Sequence, residues 1–442
     1  MSVKEEIPAI FLDKISPKGL DAIQKCKDFV EQYCLPADKI YLEQLSPDPT
    51  KRWKSTPQIT EKLKKKAQEL GLWNMFLSKH YAEGAGYTNL EYGLMAGYLG
   101  RSFVAPEATN TNAPDTGNME LLAKYGTQYH KERWLKPLLN GEIRSAFLMT
   151  EKGTSSSNAL NISVSAKKNA NGNWVLNGIK WFASGSGDPR CAVWLVMCKT
   201  AETKAIYENH SVLVIDAKKA LATGNAKLIR PLHVFGYDDA PHGHFEVEFN
   251  NYEIPSEDMP HSILASEGRG FELIQSRLGP GRIHHCMRLI GAGEQALLRV
   301  SHRANNRLIF GTLMAKRESF ITAFAQHKIN LQKCRLLVLN AAHKIDISNA
   351  KQAQREIAMA KIETPRTVGR VLDWGIQMFG AEGVSQDTEL ARLYAINRTL
   401  QIADGPDEAH LNQLGLKEAK KFALASEFFA QQEEYRKRLS NL

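Results

Sequence analysis

Leu400-Gln401-Ile402-Ala403-Asp404-Gly405-Pro406-Asp407-Glu408-Ala409-His410 decides how the rest of the chain is read. A helical run from Leu390 to Thr399 leads into it, and Gly405-Pro406 breaks that run. Asp407 and Glu408 fall in the first turn of the next helix, where carboxylates suit the positive end of the helix dipole. Asp404 is therefore a carboxylate at a helix-to-helix break. Taken alone, such a residue reads as an N-cap.

The flanking residues change that reading. Arg392-Leu393-Tyr394-Ala395-Ile396-Asn397-Arg398 precedes the break, and Ala-Asp-Gly-Pro-Asp-Glu-Ala-His follows. Together they resemble the closing segment of acyl-CoA dehydrogenases, nearest to the branch represented by family members ten and eleven. Most of that superfamily has Tyr-Glu-Gly-Thr here, and its Glu removes the α-proton of an acyl thioester. The resemblance puts Asp404 in the base position and Gly405 and Glu408 beside FAD.

Composition sets the outer limits. The chain has 442 residues, enough for two to four domains and a sizeable core. A net charge of +9 could attract a polyanionic cofactor or substrate. No dense Lys/Arg block with interleaved aromatics argues for nucleic acid, and no apolar run is long enough to span a bilayer. The cysteines (26, 34, 191, 198, 286 and 334) are scattered without Cys-x-x-Cys, which reads as reduced, mostly buried thiols in an intracellular compartment. Met1 to Ile7 carries Glu5 and Glu6 and lacks the look of a transit peptide. The tail Ser440-Asn441-Leu442 resembles the Ser-Lys-Leu peroxisomal address, with Arg436-Lys437-Arg438 upstream. The expected location is the peroxisome, otherwise cytoplasm or mitochondrion.

Residues 1–145 read as an α-helical domain. Gly19 to Tyr33 has helical apolar spacing, stopped by Leu35-Pro36, and Pro47 to Thr50 is a polar loop. Thr60 to Leu70 is a second helix whose Lys62, Lys64, Lys65 and Lys66 read as a solvated face. Ala82 to Tyr87 is a glycine loop that follows a helix, so it is not a dinucleotide fingerprint. Glu91 to Leu99 is apolar enough to be buried. Asn112-Ala113-Pro114-Asp115-Thr116-Gly117-Asn118-Met119-Glu120 opens the next helix, again resembling the same branch, and Trp134 to Gly141 closes the domain.

Residues 146–256 change character. Asn173 to Gly178, Ala192 to Met197, Ser211 to Ile215 and His244 to Phe249 read as strands, the last with period-two alternation. Strands without intervening helices imply an antiparallel β-barrel or sandwich rather than a Rossmann sheet. Phe147-Leu148-Met149-Thr150-Glu151 and Ser155-Ser156-Ser157-Asn158 resemble the family's flavin and substrate loop. That resemblance assigns Phe147, Met149 and Thr150 to FAD, and Ser157 to FAD or the thioester. Lys152 stands where the branch has Pro, and Asn158 where it has Asp. Lys180-Trp181-Phe182-Ala183-Ser184-Gly185 resembles the segment that packs an aromatic on the flavin, giving Phe182 and Ser184. An aromatic face there excludes water and shapes the redox environment.

Residues 257–442 read as a C-terminal four-helix bundle. Its long helices are expected from Gly268 to about Asn305, Ser319 to Ile345, Gln352 to Met378 and Glu408 to Glu434. Leu278-Gly279-Pro280-Gly281-Arg282-Ile283-His284-His285-Cys286 is similar to the branch's own motif, which places Arg282 at the adenosine end of coenzyme A. Adjacent helical residues point apart, so His284-His285-Cys286 is poor metal geometry and no metal site is expected. Arg307-Leu308-Ile309-Phe310-Gly311 and Gln377-Met378-Phe379-Gly380-Ala381 resemble two loops that reach the flavin of a neighbouring subunit. Arg307, Phe310, Gln377 and Gly380 are assigned to FAD on that basis, and a homodimer or homotetramer is expected. Arg suits phosphate through two parallel charge-assisted bonds.

The fold class implied is α+β, in acyl-CoA dehydrogenase order: helical, β, helical. The activity implied is FAD-dependent α,β-dehydrogenation of an acyl-CoA. Asp404 abstracts the α-proton, while Ser157, Arg282 and Asp404 hold the substrate. Electrons then pass to an electron-transfer flavoprotein or oxygen. Burial is expected to raise the pKa of Asp404. Nitroalkane oxidases share the fold and use an Asp base, so a nitroalkane oxidase is the rival enzyme. A flavin-less acyl-CoA-binding protein is the rival from another class.

Overall fold

The computed structural model describes residues 3–441. Met1, Ser2 and Leu442, the last residue of the Ser440-Asn441-Leu442 tail, lie outside the described residues, as do the side chains of Leu278 and Pro280.

The N-terminal third is helical. Helix α1 (Pro17–Phe29) runs through a π-helical turn at Val30–Cys34 into α2 (Leu35–Gln44). Leu35-Pro36 therefore does not stop the first helix. The Leu35 N–H reaches back to Val30 O, and the proline stands at the start of α2. A π turn shifts the bonding by one residue, so the missing proline N–H falls where a new helical segment begins. Helix α3 (Gln58–Glu69) carries the lysine run, but Lys64 is buried and paired with Glu61 at 2.8 Å and Glu107 at 3.5 Å. That lysine is not part of a solvated face.

Every residue of helix α4 (Asn89–Leu99) is buried. A reciprocal Thr88–Glu91 capping box opens it. Glu91 also accepts from Ser16 N at 2.9 Å and Ser16 Oγ at 2.6 Å, tying α4 to the start of α1. Helix α5 (Asp115–Tyr125) follows.

The middle sheet comprises β1 (Arg144–Leu148), β2 (Ser165–Lys168), β3 (Trp174–Ser184), β4 (Cys191–Lys199), β5 (His210–Asp216), β6 (Ala226–Leu232) and β7 (His244–Glu253). Its order is β1-β4-β2-β3-β7-β6, with β5 also on β4. Most ladders are antiparallel, as expected. β1 and β2 meet β4 in parallel, which makes the sheet mixed. One short helix, α6 (Ala217–Ala222), interrupts the strands. β4 is buried on both faces over all but its last residue, which is why it reads as a continuous apolar run.

The C-terminal part is helical, as expected. Helix α7 (Gly270–Asn306), α8 (Glu318–Ile347) and α9 (Gln354–Phe379) are its long members. A hairpin of β8 (Leu308–Ile309) and β9 (Thr312–Leu313) joins α7 to α8. Helix α10 (Leu390–Thr399) packs on α9. Residues 408–434 are two helices rather than one, α11 (Asp407–Ala419) and α12 (Phe422–Leu439). α11 buries only Asp407 and His410, and α12 buries nothing, so no packed stripe holds them in line. Gly100 sets the approach of α4 to α7, because a Cβ there would lie 1.8 Å from Arg288 O. The six cysteines are buried and form no disulfide. Among the described residues, no helix is long and apolar enough to cross a membrane.

Candidate active site

The Asp404-Gly405 turn is held by its main chain. Asp404 sits at φ +57 and Gly405 at φ +99. The left-handed region tolerates Asp and suits Gly. A Cβ on Gly405 would stand 2.9 Å from His410 Nε2, so glycine is required twice over. Arg282 donates its Nε–H to Asp404 O at 2.8 Å, and His410 Nε2 lies 3.3 Å from the same oxygen. Lys361, fully buried in α9, donates to Leu400 O and reaches Gly405 O at 3.4 Å. The Asp404 N–H has no acceptor among the described residues.

The Asp404 carboxylate is about one-fifth exposed, with His285 Nε2 at 3.5 Å from Oδ2. Burial pushes its pKa up, but His285, Arg277, Arg282 and Lys361 together outweigh that, and the net shift is downward. The expected rise is thus corrected. Desolvation acts, but the facing His285 imidazole and three cations around one carboxylate favour its charged form more.

Arg282, expected at the adenosine end of coenzyme A, lies against the Asp404 turn through its Nε–H. Asp407, in the first turn of α11, is buried and paired with Arg366 Nε at 2.7 Å. Glu408 is exposed on the first turn of α11.

A second group of residues forms around the end of β1. Phe147 lies under the Arg277 guanidinium, 4.2 Å from ring centroid to Cζ. Met149 O accepts from Lys180 Nζ at 3.0 Å, and Thr150 O accepts from Trp181 N at 2.7 Å. Lys180 and Glu151 form a buried pair at 2.8 Å, and Glu151 also takes Ser163 N, Ser163 Oγ and Val164 N. This pair fixes the Met149-Thr150 main chain against β3. A bulge between Lys180 and Ala183 leaves Phe182 at φ +50 with its ring 37% exposed. Ser184 Oγ meets His244 Nδ1 at 2.7 Å. Ser157 is exposed in the neighbouring loop, 3.1 Å from Ser155 Oγ, and Lys152 and Asn158 are exposed beside it.

The third group lies elsewhere. Arg307, Phe310, Gln377 and Gly380 line one groove of about 830 Å³ with Arg303, Arg317 and Trp374. None of Met149, Thr150, Phe182, Ser184 or Asp404 lines it. The α-helical rise of about 1.5 Å per residue puts about 37 Å between Arg282 and Arg307. Arg303 is spent on Glu382, Met378 O and Phe379 O, and Arg317 donates to Ile309 O. Arg307 makes no side-chain hydrogen bond or ion pair among the described residues, and the Phe310 ring is 97% exposed.

Sequence reasoning missed His285, Lys361, Arg277 and His410 around Asp404. His285 stands in the His284-His285-Cys286 run, which in sequence reads only as poor metal geometry. The two rings do point apart: His284 packs on Tyr92 and Phe76, while His285 faces Asp404. Lys361 left only a weak signal, a lysine among Ala and Ile on the apolar face of α9.

Comparison with known proteins adds a family context. Models of the acyl-CoA dehydrogenase N-terminal, middle and C-terminal domains match residues 27–142, 146–251 and 268–417. Acyl-CoA dehydrogenase family member 11 of Gallus gallus is 44% identical over 90% of this chain, and that of Homo sapiens 42% over 91%. The chain spans about half the length of these curated relatives, 50% in each. The probable acyl-CoA dehydrogenase FadE2 of Mycobacterium tuberculosis is 41% identical over 90% of this chain and 95% of its own. A solved structure from Mycobacterium abscessus, assigned as an acyl-CoA dehydrogenase, superposes with TM-score 0.85 at 36% identity, over 92% of this chain and 99% of that one.

Proposed function

The chain belongs to the acyl-CoA dehydrogenase family, and on that premise we propose that it dehydrogenates an acyl-CoA to the trans-2-enoyl-CoA, with Asp404 as the base. One observation carries the reading. Arg277 covers Phe147 of β1 at 4.2 Å and also favours the charged form of Asp404, so one buried guanidinium links the β1 end to the carboxylate.

The residues fit FAD. Gly380 stands at φ +65 with open space where a Cβ would project, so main chain there can approach a phosphate closely. The free Arg307 guanidinium supplies the matching donors. Around the β1 end, the exposed Phe182 face and the main chain of Met149-Thr150 suit a flat ring system. When bound, FAD supplies a two-electron acceptor for the β-hydride.

The chain's own residues do the rest. Asp404, ionised through the neutral range, accepts the α-proton of the thioester. Its own free N–H suits the thioester oxygen, which gains negative charge as that proton leaves. Arg282, His410 and Lys361 keep the turn from shifting by holding its carbonyl oxygens. Asp is one methylene shorter than Glu, and misplacement on the order of 1 Å costs ~100-fold in rate. The tight Asp404-Gly405 turn supports the shorter reach.

The separation of Arg307 from Arg282 supports a shared site, in which each subunit lends the Arg307 groove to its neighbour's flavin. A homodimer or homotetramer follows, with electrons leaving to a flavoprotein carrier or oxygen. We further propose peroxisomal import through Ser440-Asn441-Leu442. Deleting those residues should move a tagged protein to the cytosol, and a full-length protein never seen in peroxisomes contradicts it. The test of the activity itself is anaerobic addition of acyl-CoAs of graded length, which should bleach the flavin and yield a 2-enoyl-CoA.

A further inference from the structure

We propose that His285 is a positioning residue for Asp404: its ring presents an N–H to the carboxylate, in a tautomer imposed by Arg288. The inference deepens the reading of Asp404 as the base and rests on it.

His285 and Arg288 stand three residues apart on α7, so their side chains share a face. An Arg288 terminal nitrogen lies 3.1 Å from His285 Nδ1. A guanidinium only donates, so Nδ1 is the acceptor. Burial first, and then the charge of Arg288, lower the His285 pKa to about 3, so the ring is neutral. A neutral ring carries one proton, which is therefore on Nε2. Nε2 faces Asp404 Oδ2 at 3.5 Å. That is long for a hydrogen bond, and such contacts commonly tighten when substrate closes a site.

Arg288 is itself fixed. Its other terminal nitrogen donates to Thr111 O at 3.2 Å, and the Gly100 contact locks its main chain against α4. The chain from Thr111 through Arg288 and His285 to Asp404 thus joins the segment before α5 to the base.

Other charged groups face Asp404 differently. Arg282 from α7, Lys361 from α9 and His410 from α11 engage main-chain oxygens of the turn region. Arg277 from α7 acts at longer range and is faced by Glu120 of α5, a buried carboxyl pushed up to about 8 by burial. Among the described residues, His285 alone contacts the carboxylate oxygens themselves. The χ2 torsion of an Asp is broad and nearly two-fold. One N–H on Oδ2 selects which oxygen remains free, leaving Oδ1 to meet the α-proton.

The test uses FAD-loaded His285→Ala, His285→Gln and Arg288→Met, with Asp404→Asn as control. Each is followed by anaerobic stopped-flow flavin reduction across pH and by acyl-CoA affinity. His285→Ala should slow flavin reduction on the order of 100-fold at nearly unchanged acyl-CoA affinity. A donor lost from the charged form makes the acid weaker, so the acid limb should move up by about one pH unit or more. His285→Gln keeps an N–H and should recover most of the rate. Arg288→Met frees the tautomer and should move the limb the same way, which also serves if His285→Ala does not fold. A parent-like pH profile in Arg288→Met, with any foldable His285→Ala also unchanged, overturns the proposal. Normal flavin reduction in Asp404→Asn overturns the base reading instead.

Discussion

Arg282 Nε donates to the main-chain oxygen of Asp404 at 2.8 Å, tying the middle of α7's first half to the Asp404-Gly405 turn. Arg282→Gln removes that charge and loosens the turn. Flavin reduction by acyl-CoA should fall about 10- to 100-fold, on the scale of a misplaced catalytic group. Affinity for free coenzyme A should stay close to normal if this arginine serves the turn. A large loss of coenzyme A binding with normal reduction would return Arg282 to its expected place.

Asp407 is buried against Arg366, so Asp407→Asn should destabilise the protein. Breaking a fully buried pair costs several kcal/mol, but Arg366 is a third exposed and solvent screens it. About 1–3 kcal/mol is expected, read as a lower urea midpoint. A parent-like midpoint counts against the ion pair.

Lys180→Met should release the Met149-Thr150 main chain and weaken FAD retention. It leaves Glu151 buried without its counter-charge, at a cost of roughly 3–5 kcal/mol. Burial raises the Glu151 pKa, but Lys180 and its hydrogen bonds win and hold it below its ordinary value of 4.5. Its stabilisation is therefore full above about that pH and lost as pH falls below it. The parent should show this acid loss. Lys180→Met should show less of it, and an unchanged acid limb with full flavin content would refute the role.

Arg307→Ala should lower FAD content while leaving each subunit folded. If neighbours share the site, sedimentation should show flavin loss and dissociation together. A monomer with full flavin occupancy removes the shared-site account.

Much of this arrangement was legible from residue order alone. Gly405-Pro406 announced the break, period-two alternation announced β7, and the Asp404 position followed from one motif. What stayed hidden was tertiary. The direction of the Asp404 shift depends on side chains from α7 and α9, which no local pattern brings together. Burial was predictable, but the cations were not. Pro36 misled because a π turn absorbs a missing N–H in a way that propensity does not encode. The 408–434 helix misled for the opposite reason: its local propensity is good, but beyond His410 none of its residues is buried. Lys64 reads as solvent-bound because charged residues usually are, and Glu107, distant in sequence, joins Glu61 around its buried ammonium.

The central claim is that Asp404, not its acidic neighbours, removes the α-proton. Anaerobic stopped-flow reduction of Asp404→Asn, Asp407→Asn and Glu408→Gln by the same acyl-CoA tests it. Asp404→Asn should bind FAD and acyl-CoA yet reduce its flavin at least ~100-fold more slowly, the lower range for a lost general base. Folded Asp407→Asn should keep most of the rate, and Glu408→Gln should weaken FAD more than it slows proton removal. Near-normal flavin reduction in Asp404→Asn would contradict the account.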